Sequence, residues 1–210
     1  MPKSLLEFAA QMELPLTPAQ ADRLVAYARC VWEKKDFLNL TSAQTFEEVL
    51  SRHICDGLVA AKQVEKLGLA AAQLADVGAG CGYIGMSLAI ALPQAKVTLV
   101  ESLEKRCKFM NWAALQTGIS NVTIKQARLG QGTNFAFDLV TERAMGTLPD
   151  IIGICLAAVK AGGIFMAFQG ENPQMPETVP ADGQFIEDQS YQLPRDNKTR
   201  HLILFRKNNA

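Results

Sequence analysis

The sequence has 210 residues, of which 49% are hydrophobic and 20% charged, and its 21 basic and 21 acidic side chains cancel. It has no apolar run that could span a bilayer and no signal-peptide pattern at its start, so we expect a soluble cytoplasmic protein without a membrane partner. Five widely spaced cysteines without a Cys-x-x-Cys pair, and only two histidines, argue against a disulfide framework and a metal site.

Helical signals dominate the first third of the chain. Thr17 to Gln20 form a capping box with proline at the first helical position, and apolar residues recur behind it at helical spacing. Thr45 to Glu48 form a second capping box, which predicts a helix running past Leu50, Ile54 and Leu58. These signals predict a helical extension over residues 1–70 that packs on the following domain.

From residue 71 the pattern alternates between strands and helices, which predicts an α/β domain over residues 71–210. The last two strand-like runs have no helix between them, so we expect a terminal antiparallel hairpin. Helices are predicted near 83–92, 103–117 and 148–160. The predicted strands are 74–77, 97–100, 122–124, 137–140, 164–168, 185–193 and 202–206.

A glycine-rich motif from Asp76 to Gly85 follows the first predicted strand and opens a helix. Glycines let the backbone turn tightly and approach a ligand. Glu101 closes the next strand, about 20 residues on, where a carboxylate can accept the ribose hydroxyl protons of a nucleoside. Asp76 favours a cation over a pyrophosphate. The motif therefore favours S-adenosylmethionine (SAM) over NAD(P) and over a glycine turn without a ligand.

Further short motifs, on both sides of the glycine motif, occur in a fixed order between residues 39 and 207. Together with the glycine motif they resemble the RsmG family, also called GidB (glucose-inhibited division protein B). The motifs that carry the resemblance are Asn39-Leu40-Thr41, Arg52-His53 with Asp56, Ser102-Leu103 with Lys105-Arg106 and Phe109, Arg143-Ala144, and Arg200-His201-Leu202.

The resemblance implies a SAM-dependent enzyme that methylates N7 of a single guanine in bacterial 16S rRNA, at position 527 of the 530 loop. It implies a Rossmann-like class I SAM-methyltransferase fold, with a seven-stranded, mostly parallel sheet and an antiparallel C-terminal strand. The implied partner is 16S rRNA or the small ribosomal subunit, and a monomer is expected. Guanine N7 carries an unprotonated lone pair, so alignment of the reactants is expected to replace a general base.

The candidate site residues fall into two groups, and Arg143 is also the candidate for positioning the reactants. The RNA-binding candidates are Arg52, His53, Lys105, Arg106, Arg200 and His201. The cofactor-binding candidates are Asp76, Gly78, Ala79, Gly80, Gly82, Tyr83, Glu101, Ser102, Arg128, Leu129 and Arg143.

Among the positions that depart from the family pattern, two lie near the expected adenine and RNA sites. Gly130 stands where the family has a glutamate, and Gln169 stands where it has a lysine. The alternatives are therefore a SAM methyltransferase with a small-molecule or protein acceptor, and a SAM-binding relative without turnover. His53 and Asp56 lie three residues apart on one predicted helical face, so we expect that they can meet.

Overall fold

A computed structural model describes residues 2–132 and 134–209 of the chain. The helices are α1 (Pro2–Gln11), α2 (Pro18–Leu38), α3 (Phe46–Glu48), α4 (Cys55–Lys66), α5 (Tyr83–Ala91), α6 (Glu104–Thr117) and α7 (Leu148–Ala157), with a π-helical turn (Val49–Ile54) between α3 and α4. The strands are β1 (Gln73–Val77), β2 (Lys96–Glu101), β3 (Val122–Gln126), β4 (Phe137–Arg143), β5 (Val159–Gln169), β6 (Gly183–Tyr191) and β7 (Arg200–Lys207).

The strands form one sheet in the order β3-β2-β1-β4-β5-β7-β6. β1 to β5 pair in parallel, whereas β7 is antiparallel to both β5 and β6. This arrangement confirms the predicted class I fold and its terminal hairpin. The strand order reverses between β1 and β4, and open α/β sheets bind ligands at such a switch point, beyond the carboxyl ends of the strands.

The largest boundary difference lies between α7 and β5. A helix was predicted to reach residue 160, but α7 ends at Ala157 and β5 already begins at Val159. Val159 pairs with Phe137, and the register then shifts before Leu139 pairs with Ile164. The first residues of β5 could not be predicted as strand from the sequence, because Gly162 and Gly163 interrupt the apolar pattern that predicts a strand.

The two predicted capping boxes differ in the structure. The Thr17 hydroxyl accepts the Gln20 N–H at 3.3 Å, and the Gln20 side-chain oxygen accepts the Thr17 N–H at 2.9 Å. At the second box, the Thr45 hydroxyl accepts the Glu48 N–H at 3.2 Å, but the Glu48 carboxylate accepts the N–H of Gln44. The second box is therefore only half formed.

The predicted helix through Leu50 and Leu58 is interrupted by the π-helical turn. A π turn closes i→i+5 hydrogen bonds and holds an extra residue, so it changes the direction of the side chains that it carries. Here it carries His53, and it ends next to Asp56 at the start of α4. A uniform helical period could not predict where these two side chains lie.

Helices cover both faces of the sheet. The N-terminal helices share one hydrophobic core with α5, α6 and one sheet face, and α7 packs on the other face. α5 is buried on every side because it lies between the sheet and helices α2 and α4. Across residues 2–132 and 134–209, the structure has no helix long and apolar enough to cross a membrane.

Candidate cofactor and acceptor site

The glycine motif forms the turn between β1 and α5. Gly78, Gly80 and Gly82 all have left-handed backbone angles, with φ of 63°, 62° and 90°. Gly82 is also tightly packed, because a Cβ atom there would lie 2.8 Å from Leu99 Cδ2. At Gly80 the nearest atom to an added Cβ is 4.0 Å away. The two positions share the backbone requirement and differ in available space.

This difference predicts unequal effects of one added methyl group. Gly80→Ala should lower the free energy of unfolding by about 1 kcal/mol, the cost of a left-handed alanine. Gly82→Ala should lower it by about 3 kcal/mol, because overlap with Leu99 adds to that cost. Urea denaturation of both variants provides the measurement. Equal losses would contradict this packing argument.

Glu101 connects the glycine turn to the end of β2. Its carboxylate is buried, and Oε2 accepts the Gly80 N–H at 2.8 Å while Oε1 accepts the Leu103 N–H at 2.9 Å. The Ser102 hydroxyl lies 3.3 Å from Oε1, and Arg106 Nη1 lies 3.7 Å from Oε2. These contacts fix the carboxylate at the edge of the sheet, next to the glycine turn.

Asp76 performs a related role at the start of α5. Its buried Oδ2 accepts the Gly85 N–H at 2.8 Å. Burial is the largest influence on this carboxyl group and raises its pKa from 3.8 to about 7. The hydrogen bond to Gly85 and the charge of Arg143 act in the opposite direction. Asp76 thus holds the turn while it lines a cleft.

Two clefts border the glycine turn, and Gly78 lines both. The glycine-loop cleft has a volume of about 310 Å³ and is lined by residues including Thr41, Asp76, Ala79, Gly80, Tyr83, Arg106 and Arg143. The Met145 cleft has a volume of about 260 Å³ and is lined by Gly78, Val100, Ser102, Ala127, Arg128, Leu129, Met145, Ile151 and Ile154. Polar groups line the first and mainly apolar side chains the second, which fits an elongated ligand with a charged tail and a nucleoside.

A third cleft, the Arg200 cleft, opens beside the glycine-loop cleft and has a volume of about 410 Å³. His53, Arg143 and Ala144 line both clefts, so the two meet at these residues. The remaining lining residues are Arg52, Asp56, Gly146, Phe168, Gln169, Gly170, Tyr191 and Arg200. A second reactant in this cleft would approach a ligand in the glycine-loop cleft at Arg143.

Asp56 organises the boundary between these two clefts. Its side chain is only 2% exposed, and Oδ2 accepts a hydrogen bond from Arg143 Nη1 at 2.8 Å. The Tyr191 hydroxyl donates to Oδ1 at 2.7 Å, and Arg200 Nη1 lies 4.0 Å from Oδ2. Arg200 also donates to Asp196 at 2.8 Å. The buried Asp56 carboxylate therefore lies close to two arginines, one on β4 and one on β7.

The expected meeting of His53 and Asp56 was wrong. The His53 ring stacks on Tyr83 with centroids 4.3 Å apart, and its Nε2 lies 3.3 Å from the Thr41 hydroxyl. The physical reason is the π-helical turn, which changes the direction of His53. Burial, followed by the charge of Arg143, lowers the pKa of His53 to about 3, so the ring is neutral at neutral pH.

The structure brings together only some of the predicted RNA-binding residues. Arg52, His53 and Arg200 line the Arg200 cleft, and Arg106 lines the glycine-loop cleft. In the described part of the chain, Lys105 and His201 line none of these three clefts. His201 lies next to Arg200 on β7, but successive strand residues face opposite sides of the sheet, and its Nδ1 contacts Asp188 at 2.8 Å.

Sequence reasoning missed Glu142 and Tyr191. Glu142 is completely buried on β4; its Oε2 accepts the Met145 N–H at 3.2 Å, and its Oε1 has no hydrogen-bond partner among the described residues. An acidic residue within an apolar strand was a usable signal for Glu142. Tyr191 had no local signal, because its contact with Asp56 joins residues 135 positions apart.

The sequence of this chain matches the model of a known family. The model of the GidB family, described as rRNA small subunit methyltransferase G, matches residues 20–203. The chain belongs to this family. Membership of the rRNA small subunit methyltransferase G family confirms the predicted SAM-dependent rRNA methyltransferase and its cofactor.

Individual relatives agree with this assignment. Ribosomal RNA small subunit methyltransferase G of Lactiplantibacillus plantarum is 32% identical, over 98% of this chain and 89% of the relative. The protein of the same name from Aromatoleum aromaticum is 31% identical, over 95% of each chain. Both alignments extend over nearly the whole chain.

Solved structures support the fold alone. A mutant of MtNAS in complex with S-adenosylmethionine has a TM-score of 0.61 at 14% identity, over 86% of this chain and 72% of that one. TrmN from Thermus thermophilus has a TM-score of 0.57 at 18% identity, over 75% of this chain and 53% of that one.

Proposed function

We propose that this protein methylates N7 of a single guanine in 16S rRNA, the guanine at the family's position in the decoding-region loop. The observation that carries the proposal is the junction of the Arg200 cleft with the glycine-loop cleft at His53, Arg143 and Ala144. A base in the first cleft and SAM in the second would meet there. Residues 71–210 form the catalytic domain in this proposal, and residues 1–70 form a helical extension packed on it.

The residues around the glycine turn match the chemistry of SAM. Glu101 would accept ribose hydroxyl protons, and the Met145 cleft, which Ser102, Arg128 and Leu129 help to line, would hold the adenine. The amino-acid tail would lie in the glycine-loop cleft, near Ala79 and Gly80. Bound SAM supplies an electrophilic methyl group on a positively charged sulfur, and the transfer moves that charge to the base.

The acceptor side requires no proton transfer. N7 of guanine is an unprotonated sp² nitrogen whose lone pair forms the new bond to carbon. His53 is neutral but stacked on Tyr83, and Arg143 is bonded to Asp56, so neither is arranged as a general base. Positioning two reactants in near-attack geometry can supply roughly 7–11 kcal/mol. The residues of the junction would therefore act by alignment.

Recognition of the RNA would involve an unpaired or flipped guanine, because the deep, narrow major groove of A-form RNA hides the N7 edge. Arg52 is exposed at the mouth of the Arg200 cleft and Arg200 is half-buried within it, so both are candidates for phosphate or base contacts. Gln169 lines the same cleft at a position where the family has lysine. The protein would act as a cytoplasmic monomer on 16S rRNA or on the small ribosomal subunit.

The test is transfer of labelled methyl from SAM to small ribosomal subunits that lack this modification, with naked 16S rRNA in parallel. We expect N7-methylguanosine as the only labelled nucleoside after digestion, located at one position by primer extension after borohydride reduction and aniline cleavage at the modified base. Comparing the two substrates identifies the required state of the RNA. Label in another nucleoside, or labelled protein without labelled RNA, would contradict the proposal.

A further inference from the structure

The junction of the Arg200 and glycine-loop clefts has an electrostatic difficulty. Arg143 lines both clefts, and Arg52 and Arg200 line the second. The cofactor of this family is a sulfonium cation, and guanine gains a positive charge when N7 is methylated. Like charges separated by a few ångströms repel strongly in a partly buried site. An uncompensated Arg143 would therefore oppose both cofactor binding and transfer.

Asp56 is placed to remove this repulsion. Its carboxylate, 2% exposed, contacts Arg143 Nη1 at 2.8 Å, whereas the Arg143 side chain is 22% exposed. The carboxylate is nearly excluded from water, so solvent and salt screen this pair less than a surface ion pair. The Tyr191 hydroxyl occupies the other carboxylate oxygen at 2.7 Å. One oxygen of Asp56 therefore accepts a hydrogen bond from the neutral Tyr191 hydroxyl, and the other accepts one from the charged Arg143 guanidinium.

We propose that Asp56 is a positioning residue that neutralises Arg143 and makes the site selective for the cationic cofactor over its neutral product. It acts through Arg143 and does not contact the reacting atoms. The Asp56 carboxylate offsets the charge of the Arg143 guanidinium, so a sulfonium is accepted beside it. Without the carboxylate, Arg143 would disfavour SAM while leaving the neutral thioether of S-adenosylhomocysteine almost unaffected.

The Arg143 guanidinium has a second contact that fixes its position. Its Cζ lies 5.4 Å from the centroid of the Tyr83 ring, which itself stacks on His53. Hence loss of the Asp56 charge need not release Arg143 from the junction, since the ring still attracts the cation. The expected effect of Asp56→Asn is therefore an unneutralised charge at nearly the same place, and asparagine can still accept one of the original hydrogen bonds.

The experiment measures binding of two ligands that differ by one methyl group and one charge. Isothermal titration calorimetry gives the dissociation constants of SAM and S-adenosylhomocysteine for Asp56→Asn and for Tyr191→Phe. We expect Asp56→Asn to weaken SAM binding by about tenfold relative to S-adenosylhomocysteine. Tyr191→Phe removes a hydrogen bond from the same carboxylate without changing charge, so it should leave the ratio of the two constants within about twofold of the wild-type ratio.

A double variant separates charge from structure. Asp56→Asn combined with Arg143→Gln removes both charges, so the ratio should return towards the wild-type value even if both affinities fall. The double variant also provides a folded comparison if the unpaired Arg143 prevents the Asp56→Asn variant from folding. An equal loss of affinity for both ligands in Asp56→Asn, or a double variant that keeps the altered ratio, would overturn the proposal. Neither result would affect the assignment of the RNA target.

Discussion

Glu101→Gln is expected to weaken SAM binding by about 100-fold, which corresponds to about 3 kcal/mol and to two charge-assisted hydrogen bonds. The carboxylate oxygens already accept the N–H groups of Gly80 and Leu103, and each oxygen can accept further bonds. Two ribose hydroxyls would use that remaining capacity. The glutamine amide loses one acceptor and presents an N–H group either to a ribose hydroxyl or to a backbone N–H.

The matched control for this prediction is Glu104→Gln. Glu104 is an exposed glutamate on α6, three residues away, and its carboxylate forms a surface ion pair with Lys108 at 2.7 Å. This variant should bind SAM with wild-type affinity in calorimetry. The cofactor assignment for Glu101 would fail if the Glu101 and Glu104 variants bound SAM equally well while both remained folded.

The sequence was sufficient to predict the sheet and the glycine turn because both depend on local patterns. Apolar runs bounded by turns marked each strand, and the spacing from the glycine motif to Glu101 depends on one strand–helix–strand unit. The observed Glu101 contact with the Gly80 N–H lies within that unit. Motif order then placed Arg143 at the end of β4, on the same edge of the sheet.

The contacts around Asp56 could not be predicted in the same way. They join the end of the π-helical turn to β4 and β6, through Arg143 and Tyr191, and depend on how distant elements pack. A helical period predicted that Asp56 could meet His53, but a π turn has no reliable signal in a single sequence. Similarly, the alternation of β7 separates Arg200 from His201, although the two residues form one motif.

Ionisation of the Glu142 carboxyl group is costly, and only its complete burial in the structure shows this. Burial is the largest influence on its carboxyl group and raises its pKa from 4.5 to about 7. Asp76 on the neighbouring strand acts in the same direction, while the hydrogen bond from Met145 acts against it. In the folded protein this group therefore keeps its proton to a higher pH than in the unfolded chain.

The sign of the pH dependence follows from that difference. Between about pH 4.5 and 7 the folded state binds more protons than the unfolded state, so the stability from this group is complete below pH 4.5 and is lost as the pH rises towards 7. The full loss is about 3 kcal/mol. Asp76, whose pKa is raised from 3.8 to about 7, contributes a loss of the same sign.

Glu142→Gln should therefore gain stability over the wild type as the pH rises. We expect its free energy of unfolding, relative to the wild type, to increase by about 2 kcal/mol between pH 5 and pH 8, because the amide does not ionise and can still accept the Met145 N–H. Urea denaturation at both pH values provides the measurement. A residual slope due to Asp76 should remain in the variant.

Glu177→Gln is the control, because Glu177 is an exposed glutamate and its replacement should leave the pH dependence of the wild type unchanged. If Glu142→Gln and the wild type lose stability in parallel from pH 5 to pH 8, Glu142 is already ionised at low cost, and an unseen donor must reach its Oε1. If the slope falls as expected, the protein tolerates a costly buried acid beneath Met145. Met145 lines the cleft that we propose holds the adenine, so the same carboxyl group would then link the protonation of the core to the wall of that cleft.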